Sequence, residues 1–220
     1  ISNAYKYYDK DIHIKYDSKN KFLNYILKVH NNYQMNSNEK RKHLMFLYND
    51  ELIIHEMPRN FSWLIPNKIG GISALRNEKD ILGVKQLGIS TIYYFLEKSY
   101  FDKIDNHGVS INYIHCKNTY PPTIEDITQV IESEEYNEPI LYGCLGGYGR
   151  TGCALGCYLC KYGLDGTGLS SEKAITCLRN IRPKSIESNE QMNFIKKYLK
   201  FQIDYMILVF LYLIMNIWVQ

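Results

Sequence analysis

The sequence predicts an α/β fold, with a central, mostly parallel sheet flanked by helices. Three observations carry this expectation. From about Pro58 onward, short β-branched or aromatic runs alternate with segments of helical periodicity. A glycine-rich stretch, Tyr142–Gly152, links an apolar run to a helical one. The 220 residues are 45% hydrophobic, which is material for one packed core.

Residues 1–57 are polar and rich in Lys, Asn and Tyr, with apolar patches at Phe22–Val29 and His43–Ile54 that suggest a helix or two. We read them as an extension of unknown role, followed by a domain over 58–202 and an apolar tail over 203–220. Phe61–Ile65 and Lys68–Gly71 are short strands about a Pro66-Asn67 turn. Asn77–Gly88 is a helix closed by a glycine where a left-handed cap is needed. Ile89–Phe95 and Ile111–His115 are strands, and Thr123–Tyr136 is a helix capped by Thr123. Ile140–Tyr142 is a short buried strand, and helices follow at Thr151–Tyr162, Ser171–Ile181 and Glu190–Phe201.

The tail, Tyr205–Val219, is apolar except for Asn216, and Lys196, Lys197 and Lys200 lie just upstream. It is short of the roughly 20 residues that span a bilayer. Three readings stay open for it: a membrane anchor with the basic side cytosolic, a helix docked on the core, or sequence foreign to the gene product. Position 1 is Ile, which points to a fragment or a processed product.

A net charge of +3 with no dense Lys/Arg stripe gives no case for nucleic acid. The 20 tyrosines look like genome base composition. Six cysteines without a paired framework or a secretory segment point to free thiols in a reducing, cytoplasmic setting. Cys153, Cys157 and Cys160 share one helix face, where cysteine behaves as a small apolar residue, and no second ligand pair argues for zinc. No metal or organic cofactor is implied.

Chemistry concentrates at Tyr142-Gly143-Cys144-Leu145-Gly146-Gly147-Tyr148-Gly149-Arg150-Thr151-Gly152. A cysteine with an arginine six positions on is weak evidence alone. The setting strengthens it, because a strand precedes the segment, glycines lie inside it and a helix starts at its end. Glycines let the backbone curl so that successive N–H groups form an anion cradle, and the helix adds its positive end. Arg150 can hold two phosphate oxygens in a fork, and the same field favours the thiolate of Cys144. Thiolate attack on phosphorus gives a phosphocysteine that water then hydrolyses. The span Gly147–Gly152 also fits G-x-G-x-x-G, but no second strand ending in an acidic residue follows.

Two more segments complete the picture: Asn60-Phe61-Ser62-Trp63-Leu64-Ile65-Pro66, and Arg182-Pro183-Lys184-Ser185-Ile186-Glu187 followed by Gln191. With them, the chain from about Pro58 to about Tyr198 resembles the small atypical dual-specificity phosphatases of the cysteine-dependent protein tyrosine phosphatase superfamily. The resemblance implies that fold, with Cys144 as nucleophile, Arg150 as phosphate clamp and Thr151 as hydroxyl partner of the sulfur. The N–H groups of Leu145, Gly146, Gly147, Tyr148, Gly149 and Arg150 would line the cradle. Glu187 and Gln191 fall where that family keeps polar side chains for water or loop positioning.

Two departures stand out. The family's histidine before the nucleophile is Gly143 here, a loss expected to loosen the loop. The family's aspartate general acid, three residues before a Pro-Pro pair, is Asn118, ahead of Pro121-Pro122. An asparagine cannot give a proton to the leaving oxygen, a service worth about 10²–10⁴-fold. Glu125 and Asp126 lie nearby in the next helix, where solvated or capping roles are expected. The reading is a slow phosphatase of phosphotyrosine, and of phosphoserine or phosphothreonine, acting as a monomer on phosphoprotein substrates. The rivals are a phosphoprotein-binding pseudophosphatase and a membrane-anchored adaptor.

Overall fold

The computed structural model describes residues 43–48, 51–56, 59–65, 67–97, 105–132 and 139–218. The Phe22–Val29 patch and residues 133–136 of the expected helix lie outside them. The chain runs β1 (His43–Tyr48), β2 (Glu51–Glu56), β3 (Ser62–Ile65), β4 (Ile69–Ser73), α1 (Glu78–Gln86), β5 (Thr91–Leu96), β6 (Ser110–His115), α2 (Ile124–Glu132), β7 (Ile140–Cys144), α3 (Gly149–Tyr162), α4 (Ser171–Ile181) and α5 (Asn189–Trp218).

Five strands form the central sheet in the order β3-β4-β7-β5-β6. β3 pairs antiparallel with β4, and the other pairings are parallel. This is the mostly parallel α/β sheet that the alternating pattern predicts. The late strand β7 enters between β4 and β5, so the loop after it opens at the carboxyl edge of the sheet's centre. Open α/β sheets bind their ligands at that edge.

β7 is buried throughout, and its side chains alternate between two cores. Ile140 and Tyr142 join the core under α2, α3, α4 and α5, with Phe95, Leu155, Tyr158, Leu178, Ile195 and Tyr198. Leu141 faces the other core, under α1, with Ile72, Ile81, Val84, Ile92 and Tyr94. Burying one such large apolar side chain contributes about 1.5–3 kcal/mol, so β7 is held firmly from both sides. Local signals close the helices as their residues require. The Asn77 side chain accepts the Asp80 N–H at 3.1 Å, Gly88 follows α1 with φ +74°, and Thr123 Oγ1 accepts the Asp126 N–H at 3.1 Å.

Two expectations are corrected. His43–Ile54 belongs to an antiparallel hairpin that pairs His43 with Glu56 and Tyr48 with Glu51, not to a helix. Two six-residue runs rich in large apolar residues, separated by two residues of types common in turns, suit a hairpin. The helix read at Glu190–Phe201 and the tail form one continuous helix, α5, because no glycine or proline interrupts residues 189–218. The tail portion is not docked on the core, since residues 203–213 are exposed.

Candidate active site

The loop Leu145–Tyr148 joins β7 to α3, and donors from outside hold its carbonyl oxygens one after another. Leu145 O accepts from Ala74 N at 3.2 Å, at the end of β4. Gly146 O accepts from Asn60 Nδ2 at 2.6 Å. Gly147 O accepts from Arg182 Nη2 at 2.8 Å. Tyr148 O accepts from Gly152 N at 2.9 Å and Ile186 N at 3.3 Å. A trans peptide sets each N–H opposite the preceding carbonyl, and no cis bond occurs among the described residues. Carbonyls pinned outward therefore turn the N–H groups of residues 146–149 toward the inside of the curve. Gly147 N shows it, donating to Cys144 Sγ at 3.2 Å.

Glycine is required at 147. Its φ is +78°, and a Cβ there would lie 2.8 Å from Ser73 N. Gly149 lies against the Glu187 carboxylate and within 2.5 Å, measured from a built Cβ, of Gln191 Nε2. Helix α3 then begins at Tyr148 without a side-chain cap, which leaves the N–H groups of its first turn to serve an anion.

Arg150 is buried, and its guanidinium is already aimed. Nη1 donates to Cys116 O at 3.0 Å, and Nη2 to Asn118 Oδ1 at 3.1 Å. Asn118 thus holds the Arg150 guanidinium through a neutral amide. Thr151 is fully buried, and its Oγ1 has no hydrogen-bond partner among the described residues. Gln191 bridges two segments, accepting from Glu187 N at 2.7 Å and donating to Thr119 O at 3.2 Å. The structure therefore brings Cys144, Arg150, Asn118, Glu187 and Gln191 to one loop. Glu125 lies exposed in the first turn of α2, and Asp126 N is bonded to Thr123 there.

Three positioning residues escaped the sequence reading. Arg182 is buried and reaches Gly71 O at 3.0 Å, Gly147 O and the Ser62 hydroxyl, so one fork ties β3, β4 and the loop together. Asn60, with φ +53°, also accepts the Tyr148 hydroxyl at 2.9 Å. Tyr94 on β5 pairs in register with Gly143, and its ring fills the space beside that glycine. Position 143 is therefore filled by a neighbour and not left loose. The signal available was the glycine itself, since glycine inside a buried strand marks the close approach of another group. Gly71 shows the same thing, because a Cβ there would lie 2.7 Å from the Arg182 guanidinium carbon.

The remaining thiols near the site are protonated groups. Burial pushes the Cys116 thiol up to about 11, against a partial offset from Arg150. Burial also pushes Cys153 well up. Cys153, Cys157 and Cys160 are core residues as expected, although α3 is buried on all its faces from Gly149 to Cys160.

A cysteine at the mouth of a glycine loop, with an aimed arginine and an open helix end, defines a site of the cysteine-dependent phosphatase type. Residues 58–195 match the family described as Swiss Army Knife protein, DSP-PTPase phosphatase domain, and the chain belongs to that family. Among solved structures, Tk-PTP in the active form is 20% identical, covering 64% of this chain and 97% of that one, with TM-score 0.54. Human DUSP28 is 14% identical over 66% of this chain and 95% of its own, with TM-score 0.51. PTPMT1 in complex with PI(5)P is 18% identical over 60% and 90%, with TM-score 0.51. At these identities the likeness shows the shared fold.

Proposed function

We propose that this chain is a cysteine-dependent protein phosphatase working through a phosphocysteine, with phosphotyrosine as its best substrate and phosphoserine or phosphothreonine as slower ones. By its Asn60–Pro66, Cys144–Gly152 and Arg182–Gln191 segments it resembles the compact dual-specificity phosphatase 23. The observation that carries the reading is the loop whose carbonyls are held outward while Cys144 Sγ accepts an inward N–H. That geometry suits a phosphate oxygen at each inward N–H and phosphorus in line with the sulfur.

The thiolate of Cys144 attacks phosphorus, a sulfur–phosphorus bond forms, and the ester oxygen leaves with its electron pair. Arg150 shifts its fork from Cys116 O and Asn118 Oδ1 to two phosphate oxygens. Asn118 cannot protonate the leaving oxygen, so aryl phosphates, whose leaving groups are stable without a proton, turn over best. Water held near Glu187 and Gln191 then attacks phosphorus, and the Thr151 hydroxyl donates to the departing sulfur. The test is phosphate release from an activated aryl phosphate and from a phosphoserine peptide between pH 5 and 8, with Cys144→Ser and Asn118→Asp beside the native chain. Aryl phosphate turnover that vanishes in Cys144→Ser and rises only modestly in Asn118→Asp, while turnover of the phosphoserine peptide, whose leaving group needs a proton, rises about 10²-fold or more, supports a phosphatase short of its acid. No turnover above Cys144→Ser, even with aspartate restored, replaces it with the second reading. That reading is a phosphoprotein-binding domain, favoured by the neutral Asn118 amide set against Arg150.

The end of α5 has a proposal of its own, insertion into a bilayer from the cytoplasmic side. Tyr205 to Leu213 are exposed on every face of the helix, at 40–69%, and within Asn189–Met215 lies an 18-residue stretch that by length and composition alone could enter a membrane. A protein partner would cover one stripe, whereas acyl chains cover all sides. Lys196, Lys197 and Lys200 lie exposed on the approach, where anionic headgroups would meet them.

A further inference from the structure

Position 143 and position 94 fit each other as a pair, and the fit reaches the anion cradle. Tyr94 is fully buried and lies beside Gly143 in the parallel register of β5 and β7. A Cβ built on Gly143 would overlap the Tyr94 ring, with Cδ1 at 2.5 Å and Cζ at 3.0 Å. No side chain at 143 can share the space with that ring. The ring stacks on Tyr113 on its other side, with centroids 6.3 Å apart and planes at 24°.

The hydroxyl end of the ring does more than fill space. Tyr94 Oη donates to Ser73 O at 3.1 Å. Ser73 O and Ala74 N are opposite edges of one trans peptide, and Ala74 N donates to Leu145 O. Leu145 O and Gly146 N are in turn opposite edges of the next peptide, which faces the cradle. The order is therefore Tyr94 hydroxyl, 73–74 peptide, 145–146 peptide, inward N–H of Gly146. A donor on a carbonyl polarises its peptide and strengthens the N–H on the far edge, so bonds in such a chain reinforce one another. The built Cβ of Gly147 meets Ser73 N and Ile72 O, which belong to the peptide just before the one that Tyr94 fixes, so the loop lies against this same stretch of β4.

We infer that Tyr94 is a positioning residue for the phosphate loop, aiming the Gly146 N–H through two relayed peptides, and that Gly143 is glycine to admit it. This rests on the loop being an anion cradle, and the test reads the loop without requiring turnover. Iodoacetamide labelling of Cys144, followed by mass spectrometry, gives a protection constant for inorganic phosphate. Tyr94→Phe keeps the ring and removes the hydroxyl, with its bond to Ser73 O and its backbone bond at Leu75, so melting temperature should hold within a few degrees while phosphate protection weakens about 2- to 10-fold, the order of one neutral hydrogen bond. Gly143→Ala should cost at least as much in the native background and almost nothing in Tyr94→Ala, because the space is then free. Unchanged protection in Tyr94→Phe, or the same penalty for Gly143→Ala in both backgrounds, overturns the inference. If phosphate fails to protect the native chain, the anion-cradle reading itself falls, and this inference with it.

Discussion

Cys116 and Cys144 lie at the same mouth, yet only Cys144 receives a loop N–H on its sulfur. The Cys116 thiol points toward Tyr120 O at 3.4 Å while its own carbonyl holds Arg150. Burial lifts it from an ordinary 9.0 to about 11. An acid raised in the folded state keeps its proton after the unfolded chain has lost it. Between pH 9 and 11 the unfolded state therefore binds fewer protons, and stability falls as pH rises. Cys160, pushed up to about 12, acts in the same direction. Urea midpoints should fall steadily from pH 9 upward, and Cys116→Ala should make that fall shallower. At pH 8, iodoacetamide should label Cys144 well before Cys116; equal labelling would mean that the mouth does not distinguish the two thiols.

Helix α3 begins where the loop ends, and its first turn, with no side-chain cap among the described residues, presents its N–H groups and positive helix end to the site. A ligand bound only by the folded state stabilises it by mass action. Tungstate or phosphate at about 100 times its dissociation constant should therefore add about 2.7 kcal/mol and raise the melting temperature by several degrees. Arg150→Ala should remove that rise; a rise that survives it would place the anion elsewhere. Elements of this kind were legible in the sequence. The loop announced itself through its glycines, and α1 and α2 through Asn77, Gly88 and Thr123. Contacts distant along the chain were not legible. Asn60 reaches Gly146, and Arg182 reaches Ser62, across 86 and 120 positions, and no local periodicity encodes such reach. The Gly143 environment was misjudged for the same reason, because its occupant comes from another strand. The hairpin at 43–56 was missed because its apolar runs carry no strict alternation.

At the scale of the whole molecule, the phosphatase-type domain carries an apolar helical extension that none of the other described residues covers. Residues 203–218 span about 24 Å at the usual helical rise, less than the roughly 30 Å hydrocarbon thickness. Insertion to that depth would leave Asp204 and the lysines at the headgroups. Chains lacking residues 203–220 should move from liposome-bound to free in flotation with anionic vesicles, with aryl phosphatase turnover unchanged. Retained binding would assign the membrane contact to another surface, and release without vesicles present would point to self-association of the tails.

The first turns of α5 hold Gln191 against the loop and bury Phe194, Ile195 and Tyr198 in the core. The same unbroken helix continues to Trp218. Mechanically this is a cantilever, clamped over its first turns, whose projecting arm of residues 203–218 is about 24 Å long. Any load at the far end, from lipid or from a neighbouring chain, produces its largest bending moment at the root. The residue there that bonds to both the Glu187 backbone and Thr119 is Gln191.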